Sequence, residues 1–233
     1  MTTSNSWIEI EARDGGRFQG YLALPPARRG PGLLVLQEIF GVNEHIRGIA
    51  EQYAAQGFVV LAPDMFWRIA PRMEIGYHGE DRIRANRLYD EQLDKPLAVS
   101  DVGAAADRLR AMPEVIGKVG AVGFCFGGWL TFAAAAEKTI DIGISYYGGG
   151  IQNQLDDCER IVAPMQFHFG ESDPHVPIAL AGALKERFAG RDAEVHTYAG
   201  ADHGFNCWER ETYDQGAAAL AHERALRFLR QHR

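Results

Sequence analysis

The chain has 233 residues, 46% hydrophobic and 24% charged, which is material for one large α/β domain or two small ones with an ample core. A formal net charge of −7 without a Lys/Arg block argues against a nucleic-acid partner, and no apolar run approaches the length of a membrane span. Residues 1–16 have neither the basic start nor the apolar stretch of a secretory signal, and Cys125, Cys158 and Cys207 form no C-x-x-C pair and no metal-ligand spacing, so the expectation is a cytoplasmic monomer with reduced thiols, no metal and no cofactor.

In chain order, Trp7 to Ala12 and Phe18 to Leu24 read as two strands joined by the turn signal Asp14-Gly15-Gly16. Gly32 to Leu36 is a continuous apolar run, as a strand covered on both faces would be, and it ends in Gln37-Glu38-Ile39-Phe40-Gly41. His45 to Gln56 has helical spacing, with Ile46, Ile49, Ala50 and Tyr53 on one face and Gly57 as the stop. Phe58 to Ala62 is the next apolar strand. Met65 to Gly79 has no clean period and reads as an excursion over the top of the sheet. Asp81 to Leu93 and Leu97 to Met112 are expected helices, the second amphipathic. After the central segment come strands at Ile140 to Tyr147, Met165 to Phe169 and Glu194 to Tyr198, and helices at Ile178 to Phe188 and Glu211 to His232. No repeat or linker divides the chain. The alternation predicts a single α/β domain over 1–233 with a doubly wound, mostly parallel sheet of about eight strands, and the elbow in the central segment described next makes it an α/β-hydrolase fold.

The central segment, Lys118 to Ala136, carries the chemistry. Val119 to Phe124 reads as a buried strand and Trp129 to Ala136 as an Ala-rich helix. Between them, Gly123-Phe124-Cys125-Phe126-Gly127-Gly128 has the form of a G-x-nucleophile-x-G elbow with Cys125 as the nucleophile. Side chains at Gly123 and Gly127 would collide with the neighbouring strand and helix, and the helix N-terminus beneath Cys125 favours a thiolate.

A thiol attacking a carbonyl needs a base, and in this kind of fold the partners follow in the order nucleophile, acid, His. Asp173, in Gly170-Glu171-Ser172-Asp173-Pro174 after a strand, is the candidate acid, and His203, in Asp202-His203-Gly204-Phe205 after the last strand, is the candidate base. Asp202 is a rival acid, though its adjacency to His203 makes pairing with the ring awkward. The backbone N–H groups of Phe126 and of Ile39 are the candidate oxyanion donors.

On these residues the sequence resembles the dienelactone hydrolase family (carboxymethylenebutenolidases). The resemblance runs from about Gly32 onward and rests on Leu36 to Gly41, the Cys-bearing elbow, Tyr146-Tyr147-Gly148, Gly170 to Asp173 and His203-Gly204-Phe205. It implies a single α/β domain without metal or cofactor that opens a cyclic enol-lactone of aromatic degradation to maleylacetate. It also implies that Glu38 contacts the resting thiol and helps accept its proton, and that Tyr147 belongs to the substrate site. The family holds the substrate carboxylate with two Arg residues. One lies a few residues after the catalytic His, where this chain has Asn206 and Cys207. For the other, on a helix before the elbow, Arg82, Arg84 and Arg87 are candidates.

The expected function is therefore Cys-dependent hydrolysis of a small lactone or ester through a thioester. A broader carboxylesterase or thioesterase using the same triad, and a catalytically silent binding protein on the same fold, are the alternatives.

Overall fold

The structure, a computed structural model, describes residues 4–233. The chain forms two compact units, one ending at Val119 and the other running from Gly120 to Arg233.

In the first unit, β1 (Ser4–Glu11) and β2 (Arg17–Leu24) form the expected hairpin. Gly15 takes φ +88° in its turn, and Gly16 N–H is held by the Asp14 carboxylate at 3.2 Å. The strand order is β1-β2-β4-β3, where β3 is Gly30–Leu36 and β4 is Val59–Pro63; β4 runs parallel to β3 and antiparallel to β2. Leu33 to Leu36 and Val59 to Ala62 have no exposed surface, as continuous apolar runs in a covered sheet should not. Helix α1 (Glu44–Ala55) packs on β2, β3 and β4 through Ile46, Ile49, Ala50 and Tyr53. Asn43 caps it by accepting the N–H of Ile46 at 3.2 Å. Residues 64–78 are irregular, as the absence of a period predicts, and are followed by α2 (Gly79–Glu91) and α3 (Lys95–Arg110). Asp94 caps α3 on Leu97 N–H at 2.9 Å, with Pro96 in its first turn where a missing N–H costs nothing.

Strand β5 (Val115–Phe124) begins in the first unit and ends in the second, earlier in the sequence than the apolar signal at Val119 suggested. It pairs with β6 (Ile142–Tyr146), which pairs with β7 (Met165–Gly170), which pairs with β8 (Ala193–Tyr198), all parallel, in the order β5-β6-β7-β8. Helix α4 (Phe126–Ala136) packs on β6, α5 (Ala179–Arg187) on β8, and α6 (Gln215–His232) on β6 and β7. Eight strands are described, six of them in parallel pairings, and they alternate with helices, which is the α/β class expected.

Of the boundaries that differ from the sequence reading, three have an evident local reason. Helix α4 starts at Phe126 rather than Trp129, because the glycines let its first turn press onto β6: a Cβ at Gly128 would lie 2.6 Å from the carbonyl of Tyr146. Strand β6 stops at Tyr146, because Tyr147 turns to φ +38°. Helix α6 starts at Gln215 rather than Glu211, because Asp214 takes the cap position and accepts Ala217 N–H at 2.9 Å. The residues before it are tied back to the preceding loop, with Thr212 Oγ1 donating to the His203 carbonyl at 2.8 Å.

Candidate active site

Cys125 sits between β5 and α4 with φ +54° and ψ −111°, a left-handed conformation that a side chain adopts only under constraint. The constraint is visible on both sides. Its N–H donates to the Tyr146 carbonyl at 3.0 Å and its carbonyl accepts from Trp129 N–H at 3.1 Å. A Cβ at Gly123 would fall on the carbonyl of Gly127, with Thr131 Oγ1 at 2.6 Å, so the strand can approach the helix this closely only with glycine there. Cys125 is partly exposed, whereas Cys158 and Cys207 are buried; all three are free thiols.

Asp173 lies in the turn after β7. Its Oδ1 accepts the N–H groups of His175 at 2.7 Å and Val176 at 3.0 Å, which leaves Oδ2 to accept from His203 Nδ1 at 2.8 Å. Both side chains are nearly or fully shielded from solvent, at 0% and 8% exposure. Burial would raise the Asp173 pKa, but the hydrogen bond and charge of His203 and the two backbone donors outweigh it and hold the carboxyl below the usual range. The rival Asp202 is engaged elsewhere: its Oδ1 accepts the backbone N–H of His203 at 2.5 Å rather than the ring.

His203 is also hydrogen-bonded to Cys125. Burial alone would pull its pKa down. The charge of the Cys125 sulfur, then the hydrogen bonds to Asp173 and Cys125 and the charge of Asp173, reverse that and push it up to about 10. Asp173 and His203 thus form a buried pair in the second unit, with Cys125 acting on the same imidazole.

Other expected residues fall as follows. The N–H of Phe126 opens α4 directly after Cys125. Tyr147 is fully buried, with its ring edge-on to His203 at 5.1 Å, so it walls the imidazole and presents no surface to solvent. Cys207 shares the loop of His203, where its N–H donates to the Gly204 carbonyl at 2.8 Å, and it has no exposed surface. Glu38, with no exposed surface, and Ile39, 8% exposed, follow β3 in the first unit. Arg82, Arg84 and Arg87 are on α2 of that unit, separated from β5 by α3; Arg87 pairs with Glu91 at 3.1 Å, and Arg84 Nη2 lies 3.8 Å from the sulfur of Met73.

Two further residues flank the loop of His203. His175, exposed, sets its ring edge-on to that of His203 at 5.0 Å. Its position two residues after Asp173 in the same turn was the available signal. Arg210 folds back over the residue after His203: a Cβ at Gly204, which has φ +77°, would collide with its guanidinium. Nothing in the spacing of the sequence announces that fold-back. Among the described residues no helix is long and apolar enough to cross a membrane.

Comparison with known proteins places this geometry in context. The model of the dienelactone hydrolase family matches residues 18–233, somewhat more of the chain than the motifs from Gly32 onward carry. The chain is 34% identical over 224 residues to carboxymethylenebutenolidase 1 of Cupriavidus pinatubonensis, covering 95% of each protein. It is 35% identical over 224 residues to a carboxymethylenebutenolidase of Pseudomonas putida, covering 95% of this chain and 94% of that one. In structure it is similar to a putative dienelactone hydrolase from Klebsiella pneumoniae, with a TM-score of 0.84 over 99% of this chain and all of that one, at 24% identity; that likeness shows the α/β-hydrolase fold.

Proposed function

The chain belongs to the dienelactone hydrolase family, a family of hydrolases, and from that premise we propose that it cleaves a small lactone or ester with Cys125 as nucleophile, His203 as base and Asp173 as the acid that orients the ring. One observation carries the reading: a buried imidazole joined to the elbow cysteine on one side and to a carboxylate at 2.8 Å on the other. In this mechanism the Cys125 sulfur attacks the carbonyl carbon while the proton resides on His203. The oxyanion is met by the N–H of Phe126 and, in our reading, by that of Ile39. Collapse expels the ring or alcohol oxygen, which takes the proton from His203 and leaves a thioester. Water, deprotonated by His203, attacks the thioester, and the acid is released with the thiol restored. We propose that residues 1–233 work as one domain, as a cytoplasmic monomer with reduced thiols; the family model spanning both units supports the first part.

Glu38 is assigned the role that the resemblance implies, contacting the resting thiol and helping its proton leave toward His203 when substrate binds. A carboxylate without exposed surface suits it, since it is shielded from bulk water. Glu38→Gln is expected to leave the fold intact and to lower kcat by roughly 10²–10⁴, the range for a side chain positioned to assist proton transfer. Unchanged turnover in this variant would reduce Glu38 to a structural residue.

The substrate is proposed to be an enol-lactone like that of the named relatives. The broader esterase or thioesterase reading is favoured by one feature, the buried Cys207 where a carboxylate-binding Arg is expected. Both readings are tested with iodoacetamide and a substrate panel. Alkylation of one thiol per chain, Cys125, is expected to stop turnover, because Cys158 and Cys207 are buried. Comparison of kcat/KM on cis- and trans-dienelactone with neutral aryl esters then decides the class. Full turnover after alkylation of Cys125 would refute the mechanism, and a preference for neutral esters would select the broader esterase.

A further inference from the structure

Behind the site lies a polar seam that the proposed reaction does not use. Gln166 and His168 of β7 and Glu194, His196 and Tyr198 of β8 occupy one face of two paired strands, with Gln166 opposite Glu194 and His168 opposite His196. His168 is fully buried, with Nδ1 2.7 Å from the Tyr198 hydroxyl and Nε2 2.8 Å from Gln166 Oε1. The directions of these bonds can be worked out. The Gln166 amide nitrogen faces two acceptors, Glu194 Oε2 at 2.8 Å and the Arg224 carbonyl at 3.4 Å, which fixes its oxygen toward His168. His168 Nε2 must then donate, so in the neutral ring Nδ1 accepts, and the Tyr198 hydroxyl donates to it. The Arg224 guanidinium lies 5.4 Å from the centre of the Tyr198 ring at one end, and Glu194 gathers His196 at 2.8 Å and Arg227 at 3.4 Å at the other. The chain is complete only while His168 is neutral, and burial, then the charges of His196 and Arg224, keep it so well below the ordinary histidine range.

Such a seam costs more to bury than an apolar one and specifies a single arrangement of its neighbours. Those neighbours are the two segments that set the distance from sulfur to imidazole. On the nucleophile side, the His168 ring stacks on Tyr146 at 4.4 Å, and its carbonyl accepts the N–H of Tyr147 at 2.8 Å; Tyr146 in turn holds Cys125 N–H. On the base side, Tyr198 lies against Phe205 at 5.0 Å, two residues after His203, and Phe205 and His203 both meet the Tyr147 ring, at 5.3 and 5.1 Å.

We propose that His168, locked between Tyr198 and Gln166, is a positioning residue that holds the turn at Tyr146–Tyr147 and the loop of His203 in register, and so sets the contact between Cys125 and His203. The inference rests on the nucleophile and base assigned above. It leads to a test with one readout, the alkylation of Cys125, that needs no substrate. Tyr198→Phe deletes one hydroxyl and keeps the ring on Phe205, so its effect on packing is small. The expected result is a kcat lower by roughly 10- to 100-fold, as for sub-ångström misplacement of reacting groups, with KM within about twofold. The rate of Cys125 alkylation by iodoacetamide at pH 6, normalised to that at pH 9, should fall roughly tenfold, because the thiolate loses its imidazolium partner. Gln166→Met, which removes the acceptor of His168 Nε2 from the other side, should give the same pattern and serves if Tyr198→Phe does not fold. A lowered Tm with kcat and the alkylation ratio unchanged in these variants would overturn the proposal and leave the seam a purely structural device. Wild-type enzyme in which alkylation of Cys125 spares turnover would instead refute the mechanism on which it rests.

Discussion

Asp173→Asn is expected to lower kcat by about 10⁴-fold, the cost when a triad loses the acid that sets the imidazole tautomer, with little change in the fold. The geometry explains both halves of that expectation. Asp173 Oδ1 serves the turn by accepting the N–H groups of His175 and Val176, and an Asn oxygen can do the same. Oδ2 serves the ring of His203. An amide nitrogen in its place would face Nδ1 with a donor, so the ring would have to turn that nitrogen into an acceptor and carry its hydrogen on the side that should receive the thiol proton. Asp202 cannot substitute, because it is bound to the backbone N–H of His203.

The same pair predicts how the protein responds to pH. His203 titrates at about 10 in the folded chain and at 6.5 as an ordinary histidine. A raised folded value means that the stability it contributes is complete below pH 6.5 and is lost as pH rises through about 10. For Asp173 the folded value is depressed from 3.8, so its contribution is present above that pH and is lost on acidification through the lower folded value. The basic limb of the kcat/KM profile should therefore lie near 10 in the wild type and move toward neutrality in Asp173→Asn. Wild-type-like turnover in Asp173→Asn, or a wild-type basic limb near 6.5, would remove Asp173 from the mechanism.

Gly123→Ala is expected to be the most damaging single methyl in the second unit. The added carbon would overlap the Gly127 carbonyl, which is backbone and cannot swing aside, and would meet Thr131 Oγ1 at 2.6 Å. Relief requires separating β5 from α4, and with it the turn that holds Cys125 at φ +54°. A loss of at least ~4 kcal/mol is expected, a large part of the ~5–15 kcal/mol that holds a typical domain folded. Gly182 of α5 supplies the control, since an added Cβ there meets nothing within 4 Å. Gly182→Ala should be neutral or stabilising by up to ~1 kcal/mol. Urea unfolding of the two variants compares them directly, and equal midpoints would show that the elbow has more room than its backbone allows.

The sequence by itself was enough for the strands and for nominating the elbow and the candidate triad. Apolar runs such as Gly32 to Leu36, helical spacing such as that of Ile46, Ile49 and Tyr53, and the glycines around Cys125 are local patterns. They report sterics and burial over a few residues, and the structure bears them out to within the ends of the elements. The ends that moved, at Tyr147 and Asp214, were decided by hydrogen bonds to residues that are distant in the chain or by a cap competing with helical spacing. What only the tertiary structure decided is how ring and carboxylate face one another. In the sequence Asp173 is the candidate partner of His203 and Asp202 a rival, and the actual 2.8 Å pairing depends on two turns, thirty residues apart, at the ends of β7 and β8. The same holds for the edge-on ring of His175, the fold-back of Arg210 onto Gly204, and the seam through His168, whose members read individually as ordinary strand residues. Pairings of this kind arise when parallel strands bring separate stretches side by side, so no period or motif within either stretch encodes them.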